Sequence, residues 1–193
     1  TDPAGRKTAF GYDAVGNLVA VTNALGDATR YEYDEVREQT ALVDANGRAT
    51  RFEYDPMGRR VRRELPGGQA ETLAYDAAGN LTNRVDFNGR AVRFDYDPMN
   101  RLVLKQPVDG SEPGVRYEYN SAGLRTKMVD ASGTNTFLYD GRGRLVRKAT
   151  PQGTLDYAYD AAGNVASIRS SNPGGADMEY AYDELNRLRT VFD

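Results

Sequence analysis

Hydrophobic and charged residues alternate along short stretches of this chain, and the pattern recurs throughout. Residues 51–54, Arg-Phe-Glu-Tyr, are typical, because aromatic residues fill every second position with charged residues between them. Successive side chains of a strand point to opposite faces, so the pattern predicts a strand with one aromatic and one charged face. A comparable pair leads into each Tyr-Asp or Tyr-Asn dipeptide: Tyr31/Tyr33, Phe52/Tyr54, Leu73/Tyr75, Phe94/Tyr96, Tyr117/Tyr119, Phe137/Tyr139, Tyr157/Tyr159 and Tyr180/Tyr182.

A seven-residue motif beginning with Tyr-Asp divides the chain into repeats. Residues 75–81 read Tyr-Asp-Ala-Ala-Gly-Asn-Leu, and near copies or looser copies begin every 20 to 23 residues. Self-similarity at such a period is typical of repeat architectures. We identify the following residues as the structural repeat motif: Tyr12, Asp13, Gly16, Tyr33, Asp34, Tyr54, Asp55, Gly58, Tyr75, Asp76, Gly79, Tyr96, Asp97, Tyr119, Gly123, Tyr139, Asp140, Gly143, Tyr159, Asp160, Gly163, Tyr182 and Asp183.

Tight turns are predicted between the strands, because Asp or Asn followed three positions later by Gly recurs along the chain, starting at Asp2–Gly5. This residue preference belongs to the type I turn. Asn100 and Asn186 replace the glycine, and asparagine tolerates the left-handed backbone. Arg37 fits this position worst, and we expect strain or an altered loop there. With no stretch of helical periodicity, the sequence predicts an antiparallel meander of about eighteen strands, with more than 40% strand and almost no helix.

The turn chemistry predicts a register. A type I turn followed by a left-handed residue closes a three-residue hairpin loop with a bulge. This loop pairs the turn aspartate with the residue four positions later and the tyrosine with the residue six positions later. The predicted pairs are Asp55–Arg59, Asp97–Arg101, Asp140–Arg144, Asp183–Arg187, Tyr75–Leu81, Tyr96–Leu102, Tyr139–Leu145 and Tyr182–Leu188.

The lengths of the repeats predict the number of residues in each loop. We expect the loops after Tyr-Asp to share one bulged geometry, and those at the opposite edge to change type after Tyr119. Because a one-residue slip moves side chains to the other face, we expect two odd loops in 20-residue repeats and one odd and one even loop in 21-residue repeats. The 23-residue repeats should hold their extra residues in surface loops at Pro107–Gly114 and Ser170–Gly175.

Composition excludes several kinds of site. The 193-residue chain contains no cysteine and no histidine, which rules out disulfides, thiolate metal sites and histidine-based catalysis. Its net charge is −3, which disfavours a nucleic-acid partner. No apolar run approaches a membrane span, and the first residues given do not show the basic-then-apolar pattern of a signal peptide. The sequence predicts no cofactor.

The Tyr-Asp-x-x-Gly-Arg/Asn-Leu motif, followed by a glycine turn and a second aromatic strand, resembles the RHS/YD-repeat family. Its nine copies cover essentially the whole chain. The resemblance implies a continuous β-sheet ribbon that spirals into a hollow shell. Bacterial members, including Rhs polymorphic toxins, type VI secretion effectors and the C component of Tc toxins, enclose a C-terminal toxin domain, whereas animal teneurins use a related barrel in adhesion. The family's self-cleaving segment, rich in Asp-Pro-x-Gly-Leu, is absent here, so the resemblance implies neither a protease site nor a toxic activity.

We therefore expect an all-β protein: residues 1–193 form one array of about nine repeats, an antiparallel hairpin meander in a curved ribbon, and a fragment of a larger RHS-type β-shell. The expected function is structural encapsulation without enzyme activity, in a protein secreted or delivered from a bacterial cell. Expected partners are the rest of its own polypeptide, including an enclosed C-terminal toxin domain, and further copies that associate through exposed sheet edges. The alternative is an extracellular adhesion or carbohydrate-binding module.

Candidate chemistry has simpler explanations. Asp13, Asp55, Asp76, Asp140 and Asp160 could be catalytic carboxylates, but each occupies the first position of a turn, where its side chain bonds backbone amides. Scattered single carboxylates rarely supply the six to eight oxygens that calcium requires.

Two further features have a structural and a functional interpretation. The basic run Arg59, Arg60, Arg62 and Arg63 is interpreted as a solvated, partly paired face rather than a nucleic-acid site. The tyrosines could bind sugar rings, but packing against leucines is the favoured interpretation.

Overall fold

A computed structural model describes residues 5–193. The predicted turn at Asp2–Gly5 therefore lies mostly outside the described residues. More than half of the described residues are in β-strands, and none is in a helix. No helix that could span a membrane occurs in this part of the chain.

Eighteen short strands follow one another along the chain. They are β1 Ala9–Tyr12, β2 Leu18–Thr22, β3 Ala28–Tyr33, β4 Gln39–Val43, β5 Ala49–Tyr54, β6 Arg60–Glu64, β7 Ala70–Tyr75, β8 Leu81–Val85, β9 Ala91–Tyr96, β10 Leu102–Pro107, β11 Val115–Tyr119, β12 Arg125–Asp130, β13 Gly133–Tyr139, β14 Leu145–Thr150, β15 Gly153–Tyr159, β16 Val165–Ser170, β17 Asp177–Tyr182 and β18 Leu188–Phe192.

The chain divides into two compact units, the first extending to Arg93 and the second running from Phe94 to Asp193. In the first unit, β1 to β8 and the beginning of β9 pair antiparallel in chain order. In the second, β10 to β18 do the same. The predicted all-β meander is confirmed.

The predicted register is confirmed where the pairing is described. Tyr75 pairs with Leu81, Tyr139 with Leu145 and Tyr182 with Leu188. In each hairpin, the residue that follows the leucine has no partner on the opposite strand, which is a β-bulge. The amide of Asp55 donates to the carbonyl of Arg59 at 2.9 Å. The same bond joins the predicted turn pairs at Asp97, Asp140 and Asp183.

The two edges have different loops, as predicted. Loops after the motif tyrosine have the same three-residue form throughout, including Arg37, whose φ of 70° is left-handed. The loop is therefore unaltered at Arg37, and the residue adopts a strained backbone conformation. At the opposite edge, Leu65 pairs with Gln69 across three residues, whereas Thr150 pairs with Gly153 across two. The extra residues of the 23-residue repeats lie mainly in the loops at 108–114 and 171–176, between intact strands.

The arithmetic proposed for these loops was wrong. The 21-residue repeat from Tyr54 to Tyr75 has two three-residue loops, whereas the 20-residue repeat from Tyr139 to Tyr159 combines a three-residue with a two-residue loop. The bulge explains this result, because it already adds one residue to every repeat. A second odd loop then gives 21 residues, and an even loop gives 20.

Few side chains are fully enclosed in these sheets. Among residues 5–193, the buried hydrophobic residues are Ala41 and Phe137, and the motif tyrosines from Tyr33 onward are only half-buried. Without a thick hydrophobic core, the strands depend on contacts with their immediate neighbours.

Candidate functional site: the Tyr-Asp turns

The carboxylate after each motif tyrosine closes its own turn. Asp55 Oδ1 accepts the amide of Met57 at 2.9 Å and the amide of Arg59 at 3.1 Å. These bonds satisfy amides inside a tight loop, where no strand partner is available. The equivalent oxygen accepts the amide four residues later in Asp13, Asp34, Asp76, Asp97, Asn120, Asp140, Asp160 and Asp183.

These hydrogen bonds lower the pKa of the turn carboxyls. The side chain of Arg59 is the main cause of the lowered pKa of Asp55, and the side-chain amide of Asn80 has the same effect on the pKa of Asp76. For Asp140, the backbone amide of Arg144 is the main cause of the lowered pKa. A carboxylate with a lowered pKa is ionised at neutral pH, so it acts here as a hydrogen-bond acceptor.

An arginine four residues after the turn aspartate joins consecutive repeats. Arg59 donates from Nε to Asp55 Oδ2 at 2.8 Å and from Nη1 to the carbonyl of Asp76 at 3.0 Å. Its guanidinium also lies 4.8 Å from the ring centre of Tyr75. Arg101 makes the same three contacts in its repeat, and Arg144 bonds Asp140 and stacks on Tyr159 at 4.4 Å.

The hydroxyl of the motif tyrosine forms a second link between repeats. Tyr54 donates to the carbonyl of Gln39 at 3.0 Å, and Gln39 is the residue paired with the preceding motif tyrosine, Tyr33. The same bond runs from Tyr33 to Leu18, Tyr54 to Gln39, Tyr75 to Arg60, Tyr119 to Leu102, Tyr139 to Arg125, Tyr159 to Leu145 and Tyr182 to Val165. The accepting residue adjoins the bulge, where the ladder is interrupted, so the hydroxyl supplies a donor that the neighbouring strand does not.

Tyr12 and Tyr96 end their strands as the other motif tyrosines do. Tyr12 ends β1, pairs with Leu18 and is 62% exposed. Tyr96 ends β9.

The sequence contained a signal for the hydroxyl link. The first aromatic position of each strand varies among Tyr, Phe and Leu, as in Tyr31, Phe52 and Leu73, whereas the second is always Tyr. A position that only buried an apolar side chain would accept phenylalanine equally well. The fixed tyrosine therefore indicated a bonded hydroxyl, which the alternation alone did not reveal.

The arginine run is partly paired, as interpreted, but the expectation of one solvated face was wrong, because its residues lie on both faces of the strand. Arg60 and Arg63 pair with Tyr54 and Phe52, which places both on the aromatic face. Arg62 pairs with Glu53 on the other face. The physical reason is the bulge at position 61, which shifts the register of the strand by one residue.

Neither metal chemistry nor sugar binding is prominent in this arrangement. Within residues 5–193, no three acidic side chains gather into a group that could hold a metal ion. Arginine guanidiniums cover the rings of Tyr75, Tyr119 and Tyr159, and the hydroxyls of those tyrosines are bonded. The arrangement serves to tie one turn to the next.

Comparison with solved structures shows the fold. Over 95% of its length, the chain is similar to a chain in the crystal structure of TcdB2-TccC3, with 16% identity and a TM-score of 0.60. A crystal structure of TcdB2-TccC3-Cdc42 gives 17% identity and a TM-score of 0.57, as does the structure of the Photorhabdus luminescens Tc holotoxin pore. The chain spans about 13% of the length of the chains in the two crystal structures and 12% in the holotoxin pore.

Comparison with protein families covers the whole sequence. The RHS Repeat model matches residues 1–27, 12–44 and 37–70, and the Teneurin YD-shell model matches residues 69–192. No curated protein matches the sequence. With its Tyr-Asp turns, its eighteen antiparallel strands and these matches, the chain belongs to the RHS/YD-repeat family.

Proposed function

We propose that residues 1–193 act as one repeat array, a segment of the wall of a hollow β-shell. The wall belongs to a longer bacterial polypeptide and encloses a C-terminal toxin or effector domain until that domain is delivered. The protein is secreted or exported, and the role of this segment is enclosure rather than catalysis.

The observation that carries this proposal is the link between consecutive repeats. Each hydroxyl bond, such as that from Tyr54 to the carbonyl of Gln39, ties a repeat to the one before it without requiring a central core. Stability that is built from nearest-neighbour contacts allows a sheet to extend over many repeats. A thin sheet without a core of its own suits the wall of a hollow shell, because it leaves the enclosed space free.

Family membership also supports a shell. The solved chains with the same fold are components of Tc toxin assemblies, and they are several times longer than this one. The enclosed domain and the export route are inferred from the family resemblance.

Protease protection tests the proposal. The gene would be sequenced downstream of this segment, and the segment would be expressed together with the domain encoded there. We expect that domain to resist protease in the wild type and to become sensitive when the links are removed by combining Tyr54→Phe, Tyr75→Phe and Arg59→Ala. Tyr31→Phe is the control, because the Tyr31 hydroxyl has no hydrogen-bond partner among residues 5–193. Equal digestion of that domain with and without the repeats would rule out enclosure.

A carbohydrate-binding or adhesion module is the alternative. It has less support, because arginines lie over the rings of Tyr75, Tyr119 and Tyr159. Binding on a glycan array that is lost on substitution of exposed aromatic residues such as Tyr12 would favour this alternative.

A further inference from the structure

A groove of about 490 Å³ separates the Asp13 turn from the Asp34 turn. Its lining includes Asp13, Asn17, Tyr33 and Asp34. The groove lies at the edge where the motif turns follow one another, in the position at which other repeats place an arginine.

In those other repeats, a guanidinium fills the space between consecutive turns. Arg59 bonds Asp55 Oδ2 on one side, at 2.8 Å from Nε and 2.7 Å from Nη2. On the other side it bonds the carbonyl of Asp76 at 3.0 Å and stacks on Tyr75. The repeat therefore contains a guanidinium site made of a carboxylate, a carbonyl and an aromatic ring.

The groove keeps these three components but lacks the arginine. Asn17 occupies the arginine position, and its short side chain folds back to Asp13 Oδ2 at 2.8 Å. No cation lies over the ring of Tyr33 in the described part of the chain. The hydroxyl of Tyr33 donates to the carbonyl of Leu18 at 2.9 Å, which holds the ring in place.

Charge in the groove favours a cation. Four acidic residues line it, Asp13, Glu32, Asp34 and Glu35, against a single basic residue, Arg37. Desolvation is the largest single effect and raises the pKa of Asp13, but the hydrogen bonds from Asn17, Val15 and Gly16 together outweigh it. The pKa of Asp13 is therefore lowered, which keeps its carboxylate ionised.

We propose that this groove binds an arginine side chain of a partner polypeptide. The guanidinium stacks on Tyr33 and donates to Asp13 Oδ2 and to the carbonyl of Asp34, as Arg59 does between the Asp55 and Asp76 turns. A planar guanidinium fits these contacts better than an ammonium group, because it stacks and donates in two directions at once.

Titration of the 193-residue protein with N-acetyl-arginine amide, followed by amide NMR shifts, tests this inference. We expect saturable shifts confined to residues around Asn17 and Tyr33. The neutral isostere N-acetyl-citrulline amide should cause no such shifts. Asn17→Arg should weaken the arginine response by roughly tenfold or more, because its own guanidinium fills the groove.

A matched control separates filling of the groove from added charge. Asn46→Arg places the same charge on an exposed turn at the opposite edge and should leave the response unchanged. Absence of shifts, equal shifts with citrulline amide, shifts spread over all the turns, or an unaltered response in Asn17→Arg would each overturn the inference. It does not depend on the proposed enclosure, which is tested by protease protection.

Discussion

At the residue scale, one hydroxyl group supplies what a regular strand pair cannot. The bulge beside each Tyr-Asp turn interrupts the ladder, and the motif tyrosine of the next repeat donates to the carbonyl beside that interruption. The bond explains why phenylalanine, which has nearly the same apolar area, does not occupy this position. Much of the role of the tyrosine therefore depends on a single oxygen atom.

Tyr54→Phe tests the contribution of that oxygen. The variant leaves the carbonyl of Gln39 without its donor while keeping the ring, so we expect the free energy of unfolding to fall by about 1 kcal/mol. The measurement is urea unfolding. Tyr31→Phe, in the same unit, should change it by less than about 0.5 kcal/mol. Equal losses in the two variants would contradict the proposed role of the hydroxyl.

Arg37 is a second single-residue test. Its φ of 70° places a residue with a side chain in the left-handed region, where glycine is favoured. Arg37→Gly removes a strain of about 1–2 kcal/mol but increases the freedom of the unfolded chain, which leaves a net gain of about 0.5–1 kcal/mol. Thermal unfolding would measure this gain. The comparable change Asn100→Gly should gain less, because asparagine tolerates φ near 60°. A loss of stability in Arg37→Gly would refute the strain.

At the element scale, the hairpin is the unit whose details the sequence reveals best. Asp-Pro-Met-Gly at 55–58 specifies its turn, and Phe52 and Tyr54 specify the buried face, so the register follows from local chemistry. Contacts between repeats were harder to predict. The stack of Arg59 on Tyr75 spans two strands, and the division of the arginine run depends on the bulge, so neither is visible as a local pattern.

Loop length can be separated from the bulge by experiment. Inserting one glycine after Gln152 converts a two-residue loop into the three-residue type seen at Leu65–Gln69. We expect it to cost less than about 1 kcal/mol, because loop closure depends weakly on length. Deleting the bulged residue Val146 should cost more, roughly 1–3 kcal/mol. Leu145 and Arg147 keep their partners Tyr139 and Leu138, but the kink beside the turn is lost, and with it the approach of the Tyr159 hydroxyl to the carbonyl of Leu145. Urea unfolding of both variants gives the comparison, and similar costs would contradict the role assigned to the bulge.

Acid should loosen the turns. The pKa of Asp55 lies below its ordinary value of 3.8 in the folded chain, as do the pKa values of Asp76 and Asp140. A lowered folded-state pKa stabilises the fold above the unfolded pKa, and the stabilisation disappears as the pH falls through the folded pKa. We therefore expect the urea midpoint to be steady from about pH 7 to 5 and to decrease below about pH 4. Asp55→Asn should reduce this dependence, and a midpoint unchanged between pH 6 and 3 would contradict it.

At the scale of the whole molecule, the terminal strands differ from the interior ones. β1 exposes 58% of Phe10, and β18 exposes 56% of Phe192, whereas Phe52 and Phe94 in interior strands are half-buried. Within its own unit, β1 pairs with β2 and β18 pairs with β17, and exposed aromatic residues on such end strands favour pairing with another chain. The molecule therefore presents adhesive surfaces on two strands that are far apart in the sequence.

Light scattering tests this property. We expect the 193-residue protein to self-associate as its concentration rises, and the combined change Phe10→Lys and Phe192→Lys to reduce the association, because charge opposes edge pairing. Met57→Lys is the control, since Met57 is 69% exposed in a turn rather than on a strand. A protein that stays monomeric at high concentration, or an equal effect of Met57→Lys, would rule out association through these strands.

The direction of the tyrosine bonds has a consequence for synthesis. In each pair, the donor belongs to the later repeat and the carbonyl lies 14 to 17 residues earlier. A ribosome adds about 5–20 residues per second, so a repeat emerges every one to four seconds or so, whereas a hairpin forms in microseconds. Each new hairpin thus finds its partner already made and folded. The chain can fold in the order of its translation. No motif tyrosine has to wait, unbonded, for an acceptor that has not yet been synthesised.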